Sequence, residues 1–188
     1  KFHASLFFDE SVLRNVLNNC STVFYLASDS VPTTTVRQPS REGELNLQSF
    51  LKFLDVFQDY SNVHLVYLSS GGTIYGNPET VPVSETHPVA PISYHGAGKA
   101  AIEAFLHVIS NQCDNRVTII RPSNLYGPYQ PYARGFGIIR SMMEKLKLNQ
   151  PMEIWGDGEV IRDYLYIDDF VSACLACNQL QGHSKRIR

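Results

Sequence analysis

The sequence predicts an α/β fold built on a parallel, doubly wound sheet. Three observations carry that prediction. The run His64 to Leu68 is dominated by apolar residues and does not alternate, as in a strand buried on both faces. Runs of this kind alternate along the chain with segments of helical period, the order that gives parallel strands covered by helices. Two strand candidates end in small residues, Ala27-Ser28 and Ser69-Ser70-Gly71-Gly72. Such endings leave room for a ligand at the carboxyl end of the sheet, where open α/β sheets bind theirs.

Taken in order, His3 to Phe8 is a short strand. Asp9 is placed to cap a helix from Glu10 to Asn18, whose Val12, Leu13, Val16 and Leu17 share a face. Thr22 to Ala27 is a continuous apolar strand. Ser28 to Pro39 is polar and holds two prolines, so it is a loop. A second helix runs from about Glu42 to Gln58, with Leu45, Phe50, Leu51, Phe53, Leu54 and Phe57 as its apolar set. The central strand follows, then the Pro-rich loop Asn77 to Pro91 and a helix from about His95. Val117 to Ile120 is the next strand, and Arg121 to Gly135 a loop rich in Pro, Gly and Tyr. Phe136 to Leu148 has a helical pattern, Met152 to Trp155 reads as a short strand, and Tyr164 to Ile167 as another. The final helix has its pattern over Phe170 to Leu180, with Asp168-Asp169 expected to cap it. No internal repeat and no low-complexity segment is present.

The chain's 188 residues suffice for one domain with a sizeable core. A net charge of −2 gives no electrostatic case for nucleic acid or an anionic membrane as partner. No apolar run approaches the ~20 residues that span a bilayer. No signal-peptide pattern stands at Lys1. Cys174 and Cys177 form a CxxC, but no second CxxC or suitably spaced His accompanies it. Cys174 and Cys177 are therefore expected to be buried free thiols, with no metal site, and a cytoplasmic location fits; Cys20 and Cys113 are the other two cysteines.

Four motifs carry the functional reading. The central one is Val66-Tyr67-Leu68-Ser69-Ser70-Gly71-Gly72-Thr73-Ile74-Tyr75-Gly76. About twenty residues on, Pro91-Ile92-Ser93-Tyr94-His95-Gly96-Ala97-Gly98-Lys99 opens a helix. Then come Arg121-Pro122-Ser123-Asn124-Leu125-Tyr126-Gly127-Pro128 and the long run from Trp155 to Asp169, with Gly156-Asp157-Gly158 ahead of Arg162-Asp163. Taken singly, each has a bland reading: a strand end, a Pro/Gly loop, a surface ion pair. Together they resemble the signature of the extended short-chain dehydrogenases, the NAD-dependent nucleotide-sugar epimerase and dehydratase family, and the resemblance covers nearly the whole chain.

The resemblance implies an NAD(P)-binding Rossmann-type fold. Residues 1–120 would be part of the dinucleotide domain. Residues 121–188 would contribute to a small substrate-binding lobe and the last Rossmann elements. Aligned to the family, the chain starts near the third strand. The first βαβ unit, with its Gly-rich phosphate loop, has no counterpart in it, and Gln181 to Arg188 resemble no family element. The implied activity is that of an epimerase acting on a nucleotide sugar such as a UDP-hexose through a transient keto sugar. A dehydratase or reductase, or a catalytically impaired binding protein, is the alternative. The implied cofactor is NAD, with NADP left open, and the implied assembly a homodimer. On the cofactor side the resemblance places Ala27, Ser28, Asn46, Leu68, Ser69, Lys99 and Pro122. On the substrate side it places Thr73, Asn124, Arg162 at the diphosphate, where a planar fork can grip two oxygens, and Ile138 at the base.

The chain departs from the family at the centre of that site. A gapless match puts His95, not Tyr94, in the Tyr slot of Tyr-x-x-x-Lys. Four residues separate it from Lys99, so in a regular helix His95 shares the lysine's face and Tyr94 does not. Gly71 occupies the family's Ser/Thr slot, which leaves Ser70 and Thr73 as the nearest hydroxyls. A neutral imidazole can serve as a general base near neutral pH. His95 in the slot is therefore the expected arrangement, and a distorted first turn that swings Tyr94 inward is the alternative.

Overall fold

The computed structural model describes residues 9–31, 36–132, 137–154 and 156–179. Helix α1 (Glu10–Leu17) is capped by Asp9, whose carboxylate accepts from the amides of Ser11 and Val12. Strand β1 (Thr22–Tyr25) follows. A long helical stretch comes next: α2 (Pro39–Glu42), a π-helical segment (Gly43–Gln48) and α3 (Ser49–Phe57). It starts three residues earlier than expected because Pro39 sits at the first helical position, where a missing N–H costs nothing. Strand β2 (His64–Leu68) leads into a single turn of helix, α4 (Gly71–Ile74), and after a long loop α5 (Tyr94–Gln112) returns to β3 (Arg116–Ile120).

Strands β1, β2 and β3 form a parallel sheet in that order, with β2 central. Both faces are covered. Leu65 and Tyr67 project into the main core against Phe50, Phe53 and Phe57 of α3 and Ile102, Leu106 and Ile109 of α5. Tyr25 and Phe50 meet edge to face at 4.8 Å, and Phe50 and Tyr67 lie 5.2 Å apart. Residues one step out of phase face α7 (Ile167–Gln179), with Phe170 and Cys174 buried there. Thr22 of β1 donates to Asn178 of α7 at 2.6 Å, which ties the last helix to the first described strand. This is the parallel α/β architecture the sequence predicts.

A second, two-stranded sheet pairs β4 (Asn124–Tyr126) with β5 (Tyr164–Tyr166). Helix α6 (Ile138–Lys147) lies between them in sequence.

Several expectations need correction. The first strand of the sheet ends at Tyr25, and Leu26 and Ala27 are exposed loop. Asn124–Tyr126, read as loop, is a strand. Residues 152–154 are not a strand; Met152 and Ile154 are solvent-exposed and have no strand partner among the described residues. Asp168 and Asp169 lie inside the first turn of α7 rather than ahead of it. There their charge still complements the helix dipole. All four cysteines are free, but only Cys174 is buried. Among the described residues no His, Cys, Asp and Glu cluster could hold a metal, and no helix is long and apolar enough to cross a membrane. The expected strand His3–Phe8, Trp155 and the segment 181–188 lie outside the described residues.

Candidate functional site

The carboxyl ends of β1 and β2 and the first turns of α5 converge on one region. Helix α5 starts regularly. Ser93 is its N-cap, its hydroxyl accepts from the Gly96 amide at 3.1 Å, and the Ala97 amide bonds the Ser93 carbonyl at 2.9 Å. The distorted first turn considered above is therefore absent. Tyr94 is 44 % exposed, while His95, one position on, is 8 % exposed. Gly96 permits a close approach to α4, since a Cβ there would stand 2.4 Å from the Thr73 carbonyl oxygen.

One turn beyond His95, the Lys99 ammonium donates to the carbonyl of Leu68, the last residue of β2, at 2.8 Å and lies 5.0 Å from the Tyr67 ring centre. Burial lowers its pKa to about 8, against the opposing pull of Glu42 and Glu103. His95 is held below its ordinary pKa by burial first and then by Lys99, with Glu42 opposing. Two hydroxyls at this strand end, Ser69 Oγ and Thr73 Oγ1, are buried with no hydrogen-bond partner. Buried hydroxyls are ordinarily bonded, so two that find no partner among the described residues, just past the end of β2, fit the polar groups of a ligand such as a dinucleotide. Ser70 is half-buried at the N-cap position of α4.

Gly71 has a steric reason. A Cβ at that position would stand 2.9 Å from the Arg121 carbonyl oxygen and 3.3 Å from that of Pro122. The Gly71 amide donates to the Pro122 carbonyl at 2.9 Å, which locks this close packing. A side chain at position 71 does not fit the backbone as it stands.

Behind His95 lies a polar cluster that the sequence did not reveal. The Ser30 hydroxyl donates to Glu42 Oε2 at 2.6 Å and lies 2.9 Å from His95 Nδ1. Asn46 Nδ2 donates to Ser30 Oγ at 2.7 Å and to Glu42 Oε1 at 3.0 Å, and Asn46 Oδ1 accepts from the Asp29 amide at 2.9 Å. Ser30, Glu42 and His95 are all buried. The signal that could have found it is Glu42 and Asn46 four apart on a helix whose remaining inward face is apolar. Asn46 also lines a cavity with Ala27 and Ser28 at the end of β1.

The remaining residues follow β3 in the chain. Asn124 donates from both its main-chain and side-chain nitrogens to the Asp163 carbonyl, at 3.2 and 2.9 Å, which brings Arg162 to its neighbourhood. Arg162 is exposed, and among the described residues its guanidinium bonds the adjacent Ile161 carbonyl at 3.2 Å. Ile138 is 49 % exposed at the start of α6, so it is not a core residue. Pro122, half-buried, meets Gly71 as described. Arg121 has a structural part: it pairs with Glu103 through two bonds of 3.1 and 2.6 Å and donates to the Tyr75 hydroxyl and the Glu85 carbonyl.

Comparison with known proteins decides the family. Residues 1–187 match the NAD dependent epimerase/dehydratase family. The chain belongs to that family. It is 32 % identical over 164 residues to a UDP-glucose 4-epimerase of Mycolicibacterium smegmatis, a match covering 87 % of this chain and 52 % of the relative. It is 29 % identical to a dTDP-4-dehydro-6-deoxyglucose reductase of Escherichia coli, covering 88 % of this chain and 52 % of that one. The crystal structure of UDP-glucose 4-epimerase from Thermotoga maritima with UDP-glucose superposes with a TM-score of 0.86 at 31 % identity, covering 94 % of this chain and 58 % of that chain. The chain thus spans about half the length of the curated relatives it matches. Membership of this epimerase/dehydratase family accounts for the Rossmann-type sheet.

Proposed function

We propose that the chain carries the nicotinamide-facing and sugar-facing parts of an NAD-dependent nucleotide-sugar epimerase, with a UDP-hexose as substrate. The observation that carries this reading is Lys99 seated on the last carbonyl of β2, with His95 one turn before it and the unpartnered Ser69 and Thr73 hydroxyls at the same strand end. The UDP-glucose 4-epimerases among its relatives support the substrate class.

NAD, when bound, supplies a hydride acceptor for the sugar carbon and returns the hydride to it. The protein's share is positioning and proton handling. Ala27, Ser28, Leu68, Ser69, Lys99 and Pro122 hold the cofactor, and Asn46 braces the loop beside it through the Asp29 amide. Arg162, Asn124 and Ile138 hold the nucleotide diphosphate side, and Ser70 and Thr73 offer hydroxyls to the reacting oxygen. His95 Nε2 takes the sugar hydroxyl's proton and gives it back. Burial and the neighbouring Lys99 charge keep the imidazole neutral near pH 7, and so competent to accept. The same surroundings make the imidazolium costly, which favours return of the proton. Tyr94, exposed on another side of the helix, takes no part.

The test is turnover of UDP-glucose and UDP-galactose with NAD. His95→Ala is expected to abolish interconversion and Tyr94→Phe to leave it intact; the reverse pattern would refute the assignment. A second reading, a nucleotide-sugar-binding protein without turnover, is favoured by Gly71, which removes the slot hydroxyl. Tight UDP-sugar binding with no interconversion would establish it. The reductase relative makes loss of NADH or NADPH on a keto sugar a third outcome to score.

A further inference from the structure

We infer that Glu42 acts through the Ser30 hydroxyl as a positioning residue that holds His95 as its Nδ1–H tautomer, leaving Nε2 as the lone-pair nitrogen. The inference rests on the proposed role of His95 but is read from proton counting in the buried cluster.

The count starts at Asn46. The Asp29 main-chain N–H, 2.9 Å from Asn46, can only donate, so the amide oxygen must face it and the NH2 must face Ser30 and Glu42. The Ser30 oxygen therefore already accepts one hydrogen bond. Its single proton lies towards Glu42 Oε2, 2.6 Å away, because a carboxylate can only accept. Two bare lone pairs at that distance would repel. The hydroxyl has one acceptor position left, and His95 Nδ1 lies 2.9 Å from it. Nδ1 must then carry the proton and donate. The hydroxyl ends with one bond donated and two accepted, its full complement.

The tautomer of an imidazole is set by the bond its other nitrogen makes. Here it is set by a side chain on another helix, through the Ser30 hydroxyl. Among the described residues, the charged groups acting on His95 are Glu42 from α2 and Lys99 from its own helix. Glu42 thus has two effects: it orients the ring through Ser30, and it offsets part of the Lys99 charge. Gly98 keeps room for it, since a Cβ there would press on the Glu42 carboxylate.

The decisive measurement is the pair of 15N shifts of the His95 imidazole in the full chain, assigned by His95→Gln. The expected result is a protonated Nδ1 and a bare Nε2 at neutral pH. A protonated Nε2 overturns the inference whether or not the protein turns over. Glu42→Gln is expected to shift the ring towards Nε2–H, because the new amide can donate to Ser30 and release its hydroxyl proton to Nδ1. Ser30→Ala should leave a mixture. With NAD and UDP-glucose, Glu42→Gln should lower kcat about 100-fold, the scale of a lost general base, with KM little changed. An unchanged tautomer in Glu42→Gln counts against the relay. If the tautomer is as stated but His95→Ala retains full turnover, the proposed function fails and the positioning of the ring stands.

Discussion

Gly98 lies directly against Glu42. A Cβ at position 98 would stand 2.7 Å from Glu42 Oε1 and 3.2 Å from its Cγ. Glu42 cannot swing aside cheaply, because Ser30 and Asn46 hold both carboxylate oxygens. The contact joins the first turns of α5 to the start of the long helical stretch.

Gly98→Ala is therefore expected to destabilise the protein by about 1–3 kcal/mol, as overpacking does. Helix propensity alone argues the other way, by about 1 kcal/mol in favour of Ala. Chemical denaturation of the two proteins separates these effects. A variant more stable than the parent would show that the Glu42 carboxylate is free to move.

Gly71→Ser is expected to cost stability without improving turnover. The added Cβ meets the Arg121 and Pro122 carbonyls, which belong to backbone and cannot rotate away. A loss of about 1–3 kcal/mol follows from the same overpacking argument. Gain of epimerase activity with an unchanged melting temperature would contradict it.

Lys99 predicts a dependence of stability on pH. Its pKa is lowered from 10.5 to about 8, chiefly by burial. Below pH 8 the folded protein carries the whole cost of a buried charge. Between pH 8 and 10.5 the folded state sheds the proton while the unfolded chain keeps it, so the unfolded state binds more protons and stability rises with pH. Relative to Lys99→Met, the wild-type protein should gain up to about 3 kcal/mol across that window. Parallel denaturation series at pH 7 to 10.5 give the difference directly. Curves that stay a constant distance apart would place Lys99 in solvent.

The sheet was legible in the sequence because its strands are dense in apolar residues over four or five positions. Strand β4 was not. Three residues that pair with Tyr164–Tyr166, some forty positions away, leave no local periodicity, and Asn124–Tyr126 sits among Pro and Gly. Met152 to Trp155 misled for the converse reason: hydrophobic letters suggested a strand, but 152–154 have no strand partner among the described residues. At the site, spacing alone put His95 on the Lys99 face, and the regular helix start keeps it there. Ser30 and Glu42 were hidden because their meeting with His95 spans 65 residues of chain and is decided by packing rather than by any motif.

Arg121 grips Glu103 on α5, Tyr75 at the end of α4 and the Glu85 carbonyl in the loop 77–91. That loop has neither helix nor strand, and it is also fastened to Ile74 by the Ala90 amide at 2.9 Å. One planar cation thus works as a three-way clasp. The loop cannot open without breaking the charge-assisted bond from Arg121 to the Glu85 carbonyl. A surface segment and the helix that bears His95 and Lys99 hang from a single guanidinium.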